Sequence, residues 1–264
     1  MQLEADDVGF RGGDLAAGGE RMSDPETRPA PIVDRQEWLR KLRRENEQQE
    51  NAWAPEYDAL WGEIEDTHRI FVDRFLAMLP PGGRVLDAAC GTGKYFATVL
   101  DSGHSLLGVD HSGAYLINAR AKFPRVPTEK HDLQDLPYRG EFDGVMCVDA
   151  MEFVPPEEWP GVLDRFRTAL RPGGWLYVTV ELAHEDQVRA AHEEARASGL
   201  PVVEGEVILH DPDDDYYHHY PPMERVRAWL ADAGFAVEEE AEEPWHEETY
   251  AYHHVLARGE APPR

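Results

Sequence analysis

Arg84-Val85-Leu86-Asp87-Ala88-Ala89-Cys90-Gly91-Thr92-Gly93-Lys94-Tyr95 is the stretch on which the fold of this chain turns. Val85 and Leu86 have the apolar, β-leaning character of a buried strand. Asp87 follows them, and Cys90 to Gly93 carry almost no side-chain bulk. Glycine reaches positive φ freely, and a helix starting just beyond would aim its free N–H groups at the turn. The pattern predicts a ligand resting on the backbone of a strand–turn–helix, without choosing the ligand. A dinucleotide fingerprint needs a third small residue three places after Gly93, where Phe96 stands. A phosphate loop needs Ser or Thr after Gly-Lys, where Tyr95 stands.

Outward from this stretch the chain alternates between strand and helix patterns. A helix over 94–100 leads through Asp101-Ser102-Gly103 to a strand, Ser105 to Asp110. A helix over 114–122 precedes a short strand over 126–130, which ends at His131-Asp132-Leu133. Phe142 to Val148 reads as a strand apolar on both faces. The helix opened by Pro155-Pro156 has Trp159, Val162, Leu163, Phe166 and Leu170 on one side, and Arg171-Pro172-Gly173-Gly174 turns into a strand from Trp175 to Val180. Short connections between alternating elements predict an α/β fold with a doubly wound, mostly parallel sheet and right-handed crossovers. In such sheets ligands bind at the strands' carboxyl ends. Three of those ends carry Asp87, Asp110 and Asp132.

The flanks are less regular. Residues 1–30 bury too little apolar surface to offset ordering and are expected to be a flexible tail. Asp34 is placed to cap a helix through Trp38, Leu39 and Leu42, and a second helical pattern runs from Tyr57 to Leu79. Beyond the fifth strand, a helix over 185–197 is followed by a predicted strand pair within 202–209 and an acidic, His- and Tyr-rich segment to Tyr220. A helix over 224–233 and strands over 235–239 and 250–257 close the chain, the strands as an antiparallel pair at the sheet edge. His253 and His254 alternate there, so at most one is expected to point inward.

The net charge of −26 disfavours nucleic acid, which calls for a basic footprint, and anionic membranes. Two cysteines, Cys90 and Cys147, suggest neither a disulfide framework nor a zinc site, and no apolar run is long enough to span a bilayer. A soluble, reducing, cytoplasmic setting is the expectation. His210, Asp211, Asp213, Asp215, His218 and His219 match no standard ligand spacing, so no metal is expected. The sequence leaves the oligomeric state open.

The opening stretch resembles motif I of the class I S-adenosylmethionine-dependent methyltransferases, with Asp87, Ala89, Gly91 and Gly93 filling the pattern. The similarity extends from about Tyr57 to Ala257. It implies a seven-stranded Rossmann-like sheet over residues 81–258, a helical N-terminal lid over 31–80, an acceptor-side insertion at about 183–221 and a frayed end at 259–264. It implies S-adenosylmethionine as cofactor, with Asp110 and His111 at the ribose, Asp132 and Leu133 at the adenine, and Tyr57 and Asp149 near the methionine end.

On the acceptor side, the resemblance implies a small molecule methylated on O or N, with Trp61, Glu152, Phe153 and Tyr217 as candidate contacts. Tyr57 equally fits aromatic helix packing, Trp61 fits packing better than ligand contact, and Glu152 equally fits exposure. His218 and His219 are candidate general bases, because imidazole changes charge near neutral pH; packed or solvated histidines are the competing reading. Peptide methylation and a non-catalytic cofactor-binding protein of the same fold are the alternatives.

Overall fold

Val85 and Leu86 are neighbours in sequence but belong to two different cores, as a strand covered on both faces requires. The computed structural model describes residues 34–210, 215–246 and 249–260. The expected tail over 1–30 and the last four residues of 259–264 lie outside the described residues.

Three helices lead the chain: α1 (Arg35–Trp53), α2 (Tyr57–Trp61) and α3 (Asp66–Met78). Asp34 caps α1 by accepting the Glu37 N–H. The helical pattern from Tyr57 to Leu79 is thus two helices, interrupted just after Trp61 at Gly62. The alternating part follows: β1 (Arg84–Ala88), α4 (Phe96–Asp101), β2 (Ser105–Asp110), α5 (Gly113–Lys122), β3 (Thr128–Lys130), β4 (Phe142–Cys147), α6 (Trp159–Ala169) and β5 (Leu170–Ala183). Then come α7 (Glu185–Ala197), the ribbon β6 (Glu206–His210) and β7 (Asp215–His219), α8 (Met223–Asp232), β8 (Phe235–Glu242) and β9 (Tyr250–Gly259).

The main sheet has seven strands in the order β3-β2-β1-β4-β5-β9-β8. Strands β1 to β5 are mutually parallel, and β9 runs antiparallel to both β5 and β8. The order reverses beside β1, which places a crevice between the carboxyl ends of β1 and β4. One core packs Leu86, Val145, Leu176 and Val255 against Trp159, Phe166, Val226 and Leu230 of α6 and α8. The other packs Val85, Met146 and Tyr177 against Phe71, Phe75 and Phe96. A Cβ on Gly108 would meet Phe96 at 2.4 Å, and one on Gly144 would meet Phe75 at 2.5 Å. Glycine at these two strand positions is what lets the aromatic rings lie on the sheet.

Two expectations are corrected. The strand pair over 202–209 does not form: the Val203 N–H donates to Glu206 Oε2 at 2.7 Å, curling that segment into a turn. Only β6 emerges from it, and β6 pairs with β7 instead. His253 and His254 are not on an edge strand, because β9 lies between β5 and β8. With both faces of β9 covered, His253 and His254 are both buried.

Candidate functional site

The turn after β1 has left-handed backbone at alternate residues, Ala89 (φ 64), Gly91 (φ 53) and Gly93 (φ 86). Its shape is fixed from β2. Cys90 N–H donates to the Val109 carbonyl at 2.9 Å, and Gly91 N–H donates to Asp110 Oδ2 at 2.8 Å. The other Asp110 oxygen accepts the Ser112 N–H at 2.7 Å. Burial pushes the Asp110 carboxyl up to about 7 and Glu50 adds to the rise, while His111 and the two backbone donors oppose it. Glu50, from α1, contacts His111 directly.

Two adjoining cavities open above the carboxyl ends and share Glu50, Ala89, Asp110, Ala150 and Phe153. The smaller, about 80 Å³, lies under α1 and is lined by Arg43, His111, Asp132, Leu133 and Tyr217. The larger, about 630 Å³, is lined by Gly91, Lys94 and Asp149 on the sheet side and by Trp53, Tyr57 and Trp61 from the N-terminal helices. A Cβ on Gly91 would lie 3.7 Å from the Tyr57 hydroxyl, so this glycine keeps the gap between the turn and Tyr57 open. Helix α1 is tied to the region after β2: Asn51 Oδ1 accepts from Ser112 Oγ at 2.9 Å and from Ala114 N at 3.0 Å. Arg43 reaches Glu158 at 2.6 Å and Asp132 at 3.4 Å.

Asp149, two residues after β4, has positive φ (53), held by its N–H donating to Thr179 Oγ1 at 2.8 Å. Burial alone would raise its pKa, but His68, at 2.9 Å, overrides this with help from Lys94 and His254 and holds it at about 2. Asp149 therefore presents a fixed negative charge to the larger cavity. Deeper in that cavity, Glu152, Glu181 and His218 converge, all at least nine-tenths buried. His218 Nδ1 lies 2.8 Å from Glu181 Oε2 and 3.0 Å from the Tyr220 hydroxyl. Burial, then Glu181 and Asp149, push the Glu152 carboxyl far above its ordinary value. Burial pushes the Tyr57 hydroxyl up as well, so it serves as a hydrogen-bond donor rather than a base.

The structure distributes the sequence candidates unevenly. Ala89, Asp110 and Phe153 face both cavities. His111, Asp132 and Leu133 face the smaller one, while Tyr57, Trp61, Gly91, Asp149, Glu152 and His218 face the larger. Gly93 shapes the turn without lining either. Asp87 lines neither: it is 1% exposed beneath the turn, with Oδ2 unpartnered, and burial followed by Asp110 pushes it up to about 8. Tyr217 lines the smaller cavity rather than the larger, and donates to Glu206 at 2.5 Å. His219 is on the opposite face of β7 from His218, packed against Trp159 and Trp229. Strand alternation separates the two histidines, and only His218 reaches the cavity.

Glu50, Lys94, Glu181 and Tyr252 also line the larger cavity, and sequence reading missed all four. Glu181 had a signal: Thr179 and Glu181 alternate with the core residues Val178 and Val180 along β5, which continues to Ala183. Glu50 had none, since its helical stretch is polar all round.

With the geometry described, the chain can be set beside known proteins. Residues 85–174 match the family described as "Methyltransferase domain". An uncharacterised methyltransferase of Synechocystis is 30% identical over 105 residues, covering 39% of this chain and 49% of that protein, so the chain spans about half its length. A solved S-adenosylmethionine-dependent methyltransferase of Methanosarcina mazei matches with TM-score 0.64 at 16% identity, over 76% of this chain and 100% of that one. The 1,6-didemethyltoxoflavin N1-methyltransferase of Burkholderia thailandensis was solved with 1,6-didemethyltoxoflavin and S-adenosylhomocysteine bound. It matches with TM-score 0.58 at 18% identity, over 88% of this chain and 92% of that one. At these identities the two structures speak to the fold.

Proposed function

We propose that the chain, whose residues 85–174 match a methyltransferase domain, is a class I S-adenosylmethionine-dependent methyltransferase that methylates a nitrogen or oxygen of a small molecule bearing a basic amine. The observation that carries this reading is the position of Asp110, which clamps the glycine turn and stands where the two cavities meet.

The residues fit the cofactor. Gly91, without a Cβ, leaves its approach open under Tyr57. Each Asp110 oxygen, having accepted one backbone N–H, keeps a lone pair for a ribose hydroxyl. Asp132 and Leu133 in the smaller cavity would hold the adenine. Gly91 and Asp149 would hold the methionine end, where a carboxylate kept ionised suits an ammonium. When bound, S-adenosylmethionine supplies a methyl group already activated by its sulfonium.

The protein's remaining task is positioning. The larger cavity sets carboxylates among aromatic rings, with Glu152 and Glu181 innermost and Trp53, Tyr57 and Trp61 on the lid side. Carboxylates can pair with a cation there, and aromatic faces attract it further. Glu152, neutral in the empty cavity because of burial and its neighbours, would ionise against such a cation. His218, beside Glu181, would take the proton released by the acceptor. The lid of α1 and α2 favours a small molecule over a peptide, and the net charge of −26 weighs against nucleic acid.

The test is incubation of tag-free protein with S-adenosylmethionine and matched sets of small amines and uncharged alcohols, read by mass spectrometry. The reading expects products one methyl heavier, concentrated among the amines. Transfer to alcohols alone, or to peptides in preference to either set, would contradict it.

A further inference from the structure

Five side chains from three separate segments form two adjoining groups that share Glu243, one of His68, Glu243 and His254 and one of Glu65, Glu243 and His246, and Glu65 and His246 line the larger cavity. Glu65 and His68 come from the start of α3, Glu243 and His246 from the segment after β8, and His254 from β9. His68 Nδ1 lies 3.7 Å from Glu65 Oε2 and 3.7 Å from Glu243 Oε2. His254 Nε2 lies 3.3 Å from the same Glu243 oxygen. His246 Nε2 lies 2.6 Å from Glu243 Oε1 and 3.1 Å from Glu65 Oε2.

Two observations mark this as more than a cluster of ion pairs. His68 Nδ1 is a buried atom without a hydrogen-bond partner, and it faces Glu65 Oε2 across the gap. At 3.7 Å they are too far apart for a hydrogen bond. Donor atoms each about 2.1 Å from a tetrahedral ion stand about 3.4 Å from one another, close to the separations here. In addition, the remote nitrogen of both inner histidines is already engaged. His68 Nε2 lies 2.9 Å from Asp149 Oδ1, and His254 Nδ1 lies 2.9 Å from the Tyr177 hydroxyl. Glu243 is steadied in turn by the Tyr252 N–H at 3.0 Å. Occupied remote nitrogens and a hydrogen-bonded carboxylate are the usual supports of metal ligands.

We propose that His68, His254 and Glu243 form the core of a binding site for a divalent transition-metal ion, completed from the cavity side by His246 and Glu65. Imidazole and carboxylate donors without a thiolate suit zinc and its neighbours rather than calcium or magnesium. The sequence expectation of no metal rests on spacing within one segment, whereas these side chains are gathered from three segments. The ion would join α3 to the last strands of the sheet, beside Asp149. This inference does not depend on the proposed methyl transfer, and its test reads metal binding alone.

The experiment uses tag-free full-length protein, stripped by a chelator and titrated with Zn²⁺ in competition with a chromogenic chelator. Co²⁺ serves as the spectroscopic probe. The result expected is one equivalent of Zn²⁺ per chain at micromolar affinity or tighter, with visible Co²⁺ bands of nitrogen–oxygen coordination and a higher melting temperature. His68→Gln combined with His254→Gln should weaken binding at least a hundredfold, and His246→Ala at the rim at least tenfold with the fold retained by circular dichroism. Wild-type protein that takes up no Zn²⁺ at micromolar concentration would overturn the proposal, whatever the variants do. So would a folded double variant that binds Zn²⁺ as the wild type does.

Discussion

Asp110, at the end of β2, accepts the Gly91 N–H at 2.8 Å and so holds the turn that follows β1. The residue expected to touch the cofactor therefore also shapes the surface on which it rests. Asp110→Ala leaves the Gly91 and Ser112 N–H groups without their acceptor, at about 1–3 kcal/mol for each buried group. The expected outcome is a lower melting temperature together with at least a tenfold loss of S-adenosylhomocysteine affinity. Scanning fluorimetry and calorimetry on the same samples check both; lost affinity at unchanged stability would break the link.

Asp87 predicts a pH dependence. Its carboxyl is raised from 3.8 to about 8, so between those values the native state holds a proton that the unfolded chain has released. The contribution to stability is full below 3.8 and is lost as pH rises toward 8. Asp87→Asn should be more stable than wild type at alkaline pH, with the advantage shrinking as pH falls and vanishing below 3.8. Urea midpoints measured across that range provide the check; a constant difference would show that Asp87 does not titrate there.

His218 and His219 should separate cleanly. His218→Gln is expected to cut turnover at least tenfold with cofactor affinity unchanged, because it faces the larger cavity, the proposed acceptor site, beside Glu181. His219→Phe should spare turnover and change acid stability. Burial lowers His219 from 6.5 to about 4, so the unfolded chain binds a proton that the native state refuses between those values. Stability is full above 6.5 and falls toward pH 4, by about 3 kcal/mol at most. The phenylalanine variant should lose that acid sensitivity, read from denaturation midpoints.

Asn51 ties α1 to the start of α5. Asn51→Ala should cost about 1 kcal/mol and speed S-adenosylhomocysteine dissociation several-fold, as stopped-flow measurements would record. Unchanged dissociation would mean that α1 does not retain the ligand.

The alternating half of the chain was legible because its signals are local. Buried strands are short apolar runs, their ends carry acids, and Phe96 excludes the dinucleotide pattern; the ring of Phe96 in fact fills the space above Gly108. Asp110, Asp132 and Asp149 reach the cavities for the same reason, since a parallel sheet gathers its carboxyl ends. The acceptor side was harder to read because its geometry arises from distant pairings. The turn set by Val203 and Glu206 decides that β6 pairs with β7, and that pairing sends His218 inward and His219 outward. The placement of β9 inside the sheet buries His254 beside His68 and Glu243. No spacing within a single segment carries that information.

The central claim, that the cleft around Asp110 holds S-adenosylmethionine, is tested most directly by calorimetric titration of S-adenosylhomocysteine into the wild type and Asp110→Ala. The account predicts one site per chain at micromolar affinity in the wild type, weakened at least tenfold in the variant. No saturable binding to the wild type at millimolar ligand, or equal affinity in both proteins, would contradict it.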